Sequence, residues 1–287
     1  MKTIVCPLDS SKVASDGYSY GKSLSCNYDA DLNIIHTDAL PGFYTENAFI
    51  PSAIDLCSRQ SKSNQANYYY EEPCQALAAE VATFPQQADS FQSIARIANF
   101  ALEQKADFIV VGADKRCSIG DVFTSPVSYL HAQAKCPVLV VPEGIVFKPF
   151  KRIVVAIDHE VNISPHVDFL TELASRFDAE ILFLQVVSAS TPKDHPFFDC
   201  MMELYFSFPY EKISFYALQH IYLHESIREF AESKQAELIV VLSELSWQAD
   251  AVPATDYHEG FSSPLTMPVL ALNEHPLPTL SILSKGW

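Results

Sequence analysis

The chain states one pattern twice, and a duplicated pattern limits it to two copies of a single folding unit. Lys2-x-Ile4-Val5-x-x-x-Asp9 returns as Lys151-x-Ile153-Val154-x-x-x-Asp158, and Asp29-Ala30-Asp31-Leu32 returns as Asp178-Ala179-Glu180-Ile181, both 149 residues on. Ala106-Asp107-Phe108-Ile109-Val110-Val111 returns after 130 residues as Ala236-Glu237-Leu238-Ile239-Val240-Val241. Pro137-Val138-Leu139-Val140 returns after 131 as Pro268-Val269-Leu270-Ala271. The falling offset means that the second copy is shorter by roughly twenty residues between its second and fourth strands. The 287 residues divide into domains 1–143 and 149–287, each long enough to bury a core.

Short β-branched runs predict strands at Thr3–Leu8, Leu32–Thr37, Glu80–Phe84, Phe108–Gly112 and Val138–Val141. Helices are expected from Ser11 to Cys26, from Ala48 to Asn67 and from Asp89 to Gln104. In the last, Phe91, Ile94, Ala98 and Leu102 fall on one face meant for burial. The second copy repeats the alternation, with strands at Ile153–Ile157, Ile181–Val187, Ile213–Leu218, Leu238–Leu242 and Val269–Leu272 and helices near Pro165–Phe177 and Leu223–Lys234. Alternating strand and helix makes each copy an α/β unit with a parallel, doubly wound sheet. Between the copies lies Pro142-Glu143-Gly144-Ile145-Val146-Phe147-Lys148-Pro149, whose Ile145, Val146 and Phe147 are too apolar for a solvated tether and are expected to pack between domains.

Composition narrows the function. With 48% hydrophobic residues and a mean hydropathy of +0.07 the chain has core material, yet no run is long enough to span a membrane. Met1-Lys2-Thr3-Ile4-Val5 enters a strand at once, leaving no room for a signal peptide, so a cytoplasmic location is expected. A formal charge of −16 argues against nucleic acid and anionic membranes as partners. The seven cysteines form an odd set with no C-x-x-C pair, so neither a disulfide framework nor a zinc site is expected. Cys117, in a loop, is the one expected to be exposed.

Ligands of doubly wound sheets bind beyond the carboxyl ends of the strands, where strand order reverses. Asp9 follows the first strand and Asp158 holds the same place in the second copy. Capping of the next helix and contact with a ligand both fit an aspartate there. After the fourth strand comes the segment Gly112 to Pro126, in which Ser125-Pro126 reads as a helix start with free amides suited to an anion. No catalytic set assembles: the nine histidines are scattered, H-E-x-x-H and G-x-S-x-G are absent, and His159-Glu160 beside Asp158 lacks metal-ligand spacing. His36, inside a strand, reads as a packed or hydrogen-bonded histidine.

The lead Lys2-x-Ile4-Val5-x-Pro7-x-Asp9, the strand Ala106 to Gly112 and the ending Ala134-Lys135-Cys136-Pro137-Val138-Leu139-Val140-Val141-Pro142 resemble the universal stress protein family, here as a tandem pair. The resemblance implies two five-stranded parallel α/β domains of the adenine nucleotide alpha-hydrolase-like type, paired as a pseudo-dimer, with a homodimer of chains as a further pairing. It also implies ATP or AMP held by the aspartate after the first strand and a G-x2-G-x9-G-[ST] motif. Matched onto this chain, those positions are Asp9, Thr37 near the base, Gly112, Lys115 in place of the second glycine, Thr124 in place of the third, and Ser125. The loop is one residue shorter than the motif, while Lys115 and Arg116 offer charge to phosphate. In the second copy Leu242 replaces the first glycine and the stretch Ser243 to Thr266 lacks the others, so no nucleotide is expected there.

The reading is a non-catalytic stress-response regulator whose first domain binds an adenine nucleotide. The alternative is a nucleotide-independent scaffold, or a protein that takes an apolar ligand through the aromatic segment Thr191 to Tyr210 or the interdomain surface; for that segment, cover over the domain core is the plainer role. An ATP-hydrolysing or adenylating relative, using Asp114 and Asp121, ranks last because loop aspartates are commonly turn formers. A receiver-like phosphorylation domain fails for want of an aspartate after the third strand, where Phe84-Pro85 stands.

Overall fold

The structure, a computed structural model, describes residues 2–9, 11–36, 81–83, 90–124, 130–131, 133–157, 163–187, 197–219, 223–242 and 264–272. In chain order these form β1 (Lys2–Leu8), α1 (Lys12–Tyr28), β2 (Ala30–His36), β3 (Val81–Thr83), α2 (Ser90–Glu103), β4 (Phe108–Ala113), α3 (Ile119–Thr124) and β5 (Val138–Pro142). There follow β6 (Arg152–Ile157), α4 (Val167–Phe177), β7 (Glu180–Val187), α5 (Phe197–Ser207), β8 (Ile213–Gln219), α6 (Leu223–Ser233), β9 (Leu238–Leu242) and β10 (Val269–Leu272). The helix expected over Ala48–Asn67 lies outside the described residues.

All ten strands form one sheet in the order β3-β2-β1-β4-β5-β10-β9-β6-β7-β8. Each half has its third, second, first, fourth and fifth strands side by side, all parallel within the half. The halves meet where β5 and β10 pair antiparallel, Val269 opposite Val140 and Ala271 opposite Val138. The repeated Ile-Val step explains how the sheet carries two layers. Ile4 and Ile153 point to one face and Val5 and Val154 to the other, all at most 1% exposed, because neighbouring strand residues alternate sides. On one face α1 and α4 bring Tyr20, Leu24, Phe169, Leu170 and Leu173; on the other α2 and α6 bring Ile94, Ile97, Ile227 and Phe230.

Local bonds also recur at the offsets of the sequence repeat. Asp107 N–H donates to Thr3 O at 2.8 Å and Glu237 N–H to Arg152 O at 3.1 Å, while the two acidic side chains accept from Thr3 N–H (2.7 Å) and Arg152 N–H (2.9 Å). The left-handed residues come in matching pairs, Asp29 (φ 57°) with Asp178 (φ 55°) and Lys105 (φ 51°) with Gln235 (φ 54°). Asp29 and Asp178 end α1 and α4, where the left-handed turn lets an amide reach back to the last carbonyls.

The seam between the halves is aromatic in its middle and ionic at its rim. Tyr28 stacks on Phe177 at 6.1 Å, Phe108 meets Phe169 edge-on at 6.5 Å, and Phe150 packs against Phe177 at 4.8 Å. Lys2 bridges to Glu172 (2.7 Å), and Arg176 reaches Asp29 (3.6 Å). In the linker, Ile145 and Phe147 pack against the core as expected, but Val146 stands 76% exposed. Three consecutive apolar residues in an extended segment cannot all face inward. Phe150, 1% exposed, supplies the anchor instead.

Two other expectations need correction. Leu102 is 44% exposed, so the buried face of α2 runs through Ile94, Ile97, Ala98 and Ala101. Cys117 is half-buried, and burial pushes its thiol up to about 12; among the described cysteines the exposed one is Cys26, on α1. Among the described residues no helix is long and apolar enough to cross a membrane, and no group of three or more metal-binding side chains gathers.

His131 belongs to the first half yet hydrogen-bonds the backbone of Ala271 and Leu272 in the second. Burial, helped by nearby His166, lowers its pKa to about 4 despite those bonds, and burial also lowers that of His166. A histidine held neutral in the fold binds a proton more readily when unfolded, so its contribution is full above about pH 6.5 and is lost as pH falls towards 4. For His131 alone that amounts to about 3 kcal/mol. Urea melts from pH 7 to 4.5 are expected to show the midpoint falling below pH 6.5, with His131→Gln flattening the slope; an unchanged slope in the variant would exclude His131 as its source.

Candidate functional site

The strand order of the first half reverses between β1 and β4, so the crevice beyond their carboxyl ends is where a ligand belongs. Asp9 enters it directly after β1 and is 8% exposed. Its Oδ1 accepts from Ser11 N–H at 2.7 Å, and Ser11 in turn caps α1 by accepting from Ala14 N–H at 3.1 Å. The capping role open to Asp9 therefore belongs to Ser11, while Asp9 folds the approach to the cap.

Across the crevice, Gly112 stands near the end of β4. A Cβ added there would lie 2.1 Å from Val13 O and 2.8 Å from Val13 C, and one added at Gly17 would lie 2.6 Å from Gly112 N. Two facing glycines thus let α1 lie directly on β4, so Gly112 has a packing reason that owes nothing to phosphate. Leu242, which takes its place 130 residues on, is buried at the end of β9.

The loop after β4 differs from expectation. Lys115 and Arg116 form an exposed turn in which Arg116 pairs with Asp114 at 3.1 Å. Ser118 and Asp121 then make a reciprocal capping box. Ser118 N–H and Oγ–H donate to Asp121 Oδ2, both at 2.7 Å, and Asp121 N–H donates to Ser118 Oγ at 3.3 Å. This box starts α3 at Ile119, a helix not expected from the sequence; the helix start read at Ser125-Pro126 lies outside the described residues. The S-x-x-D spacing of Ser118 and Asp121 was available in the sequence as a signal for this helix. Thr37, Ser125 and Asp158 lie outside the described residues, and of Thr124, the last residue of α3, only the backbone is described.

Glu143 was not among the residues singled out for the site, yet it completes this edge. Its N–H donates to Ala113 O at 2.8 Å, which brings it from the end of β5 to the end of β4. Its carboxylate receives the Lys12 ammonium at 2.6 Å, and that hydrogen bond, with the charges of Lys12 and Lys115, holds Glu143 below the usual carboxylate range. Gly144 N–H also donates to Asp16 Oδ2 at 3.0 Å. The edge therefore carries Lys12, Lys115 and Arg116 against Asp9, Asp16, Asp114, Asp121 and Glu143. With Lys12 and Arg116 committed to carboxylates, Lys115 is the side chain best placed to meet an incoming anion. A groove of about 500 Å³ lined by Lys2, Tyr28, Asp29, Glu172, Ser175 and Arg176 lies elsewhere, beside the amino ends of β1 and β2, and its charges pair across the seam.

With this geometry established, comparison with known proteins gives a consistent answer. Residues 1–142 match the model of the Universal stress protein family. A universal stress protein from Archaeoglobus fulgidus DSM 4304 overlays with a TM-score of 0.59 at 14% identity, covering 94% of this chain and 98% of that one. A protein from Pseudomonas aeruginosa UCBPP-PA14 assigned to the same family overlays with a TM-score of 0.51 at 12% identity, covering 95% and 93%. At such identities the overlays show the fold alone. A universal stress protein from Archaeoglobus fulgidus in complex with dAMP aligns over 33% of this chain at a TM-score of 0.27, too loosely to carry its ligand across. No protein of curated function matches the chain. The family match covers residues 1–142, just under half of the chain, and the two overlays extend the likeness of fold over both halves.

The glycine geometry makes a direct prediction. Gly112→Ala forces a methyl into backbone that cannot yield and is expected to cost about 3 kcal/mol or more. Gly21→Ala, whose nearest neighbours are Val110 side-chain atoms at 3.6 Å, is expected to be neutral or to stabilise by up to about 1 kcal/mol. Thermal melts of the two variants check both.

Proposed function

We propose that this chain is a tandem universal stress protein, a non-catalytic cytoplasmic regulator of the stress response. Domains 1–143 and 149–287 pair through the β5–β10 seam as a pseudo-dimer, and the first domain takes an adenine nucleotide, ATP or AMP. Support for the tandem reading comes from hydrogen bonds and left-handed residues that recur at the offsets of the sequence repeat. The observation that carries the nucleotide reading is that Asp9 and the turn from Gly112 to Lys115 both lie at the carboxyl ends of adjacent strands, at the β1/β4 reversal. Asp9 would meet the ribose or base side of the ligand, Lys115 and Arg116 its phosphates, with Thr124 and Ser125 as the family positions beyond them. The second domain serves as a structural mate, since Leu242 fills the place of Gly112.

A second reading, a nucleotide-independent scaffold, draws on two observations. Gly112 is already demanded by Val13, and the edge holds more carboxylates than cations. The face of α5 that leaves Met202, Tyr205 and Phe206 at 51%, 54% and 77% exposure would then do the binding.

Mass spectrometry of small molecules released from denatured protein, with calorimetric titration of the emptied protein, separates the two. Bound ATP or AMP, or heat that Lys115→Ala and Asp9→Asn reduce, is expected. Neither nucleotide nor heat at millimolar ATP would end the nucleotide reading in favour of the scaffold. Glycine variants do not serve this test, because they disturb the packing of α1 on β4.

A further inference from the structure

The loop that follows β4 is held from both sides of the chain. Cys117 O accepts from Leu265 N–H at 2.8 Å, so the second half reaches over by its backbone just before β10. At Gly120, on the first turn of α3, a Cβ would lie 3.1 Å from His224 Nδ1 and 3.2 Å from its Cε1. His224 stands at the start of α6, in the second half. The same Cβ position lies 3.6 Å from Ser118 Oγ, so the imidazole and the capping box that starts α3 both border Gly120. Burial lowers the pKa of His224, while the charge of Asp121 opposes the shift. Gly120 thus makes room for a side chain supplied by the other half.

We propose that the second half of the chain positions the ligand-edge loop of the first, with His224 as the positioning residue against Gly120 and Leu265 as its backbone tie. The inference rests on the reading of that loop as the ligand edge, but its test needs no ligand. Without the imidazole the capping box loses its outer wall, and the turn from Asp114 to Cys117 loses the support that fixes Lys115. The shorter second half, with Leu242 in place of a glycine, then has a task of its own: it shapes the other half's crevice.

Amide hydrogen exchange on the full chain, read residue by residue, tests this. Ser118, Asp121 and Leu265 donate the hydrogen bonds that would loosen. His224→Ala is expected to speed their exchange by about tenfold or more while β1 and β4 keep their protection. Gly120→Ala, which pushes the imidazole by a few tenths of an ångström without removing it, is expected to speed the same amides by a smaller factor. His224→Asn, which restores a nitrogen near the position of Nδ1, is expected to recover most of the protection. Unchanged loop exchange in both His224→Ala and Gly120→Ala would overturn the proposal. So would an increase spread evenly over all strands with a fall in Tm, since His224 would then be core filler. A wild-type loop that is protected in this way, in a protein that takes up no nucleotide, would defeat the nucleotide reading and leave the positioning role standing.

Discussion

The antiparallel pairing of β5 with β10 is the contact on which the rest of the molecule depends. Every residue of both strands is buried, and together they are almost wholly aliphatic. Alone, either half would present an apolar strand with a row of unpaired backbone groups, the situation that leads to edge-to-edge aggregation. Pairing the two edges removes the hazard and makes the cores common property. Each face of the sheet is lined by residues from both halves, Val140 with Val269 on one and Leu139 with Leu270 on the other. The aromatic contacts of Tyr28, Phe108, Phe150, Phe169 and Phe177 extend the same junction beyond the sheet.

That junction gives meaning to the unequal treatment of the two copies. In the first, α1 lies on β4 so closely that two glycines are required, beside the reversal point that Asp9 borders. In the second, Leu242 closes the corresponding place. Divergence after duplication is commonly read as decay. Here the second copy retains the strands that build the seam and the residues that lean on the first copy's loop.

Most strands and helices were legible because the repeat supplied two readings of each element and the valine-rich runs admitted few alternatives. Strands β9 and β10 fall where they were read, and α1, α2, α4 and α6 within a few residues. What was missed depended on the third dimension. Leu102 shares a four-residue spacing with Ile94 and Ala98, but two such steps turn it about 80° from Ile94, off the face that Ile97 and Ala101 keep buried. Cys117 is a loop residue that packs against the core, and its carbonyl is tied by Leu265, nearly 150 residues away in the chain, to which no local pattern points. Glu143 joined the site for a similar reason, because its place beside β4 follows from strand order and not from sequence distance. Gly112 was found, but its cause was only half visible: sequence can mark a glycine, and only packing shows which atom demands it.

Because the central pair runs antiparallel, the carboxyl ends of the two sets of strands point in opposite directions. The two reversal points, β1/β4 and β9/β6, are also set apart by four strand spacings, roughly 19 Å along the sheet. A single small molecule cannot touch both. The molecule is two-ended, and whatever occupies one end can inform the other only by shifting the rigid sheet between them or the loops that cross it. Occupants of the two ends would face opposite ways, with the β5–β10 seam between them.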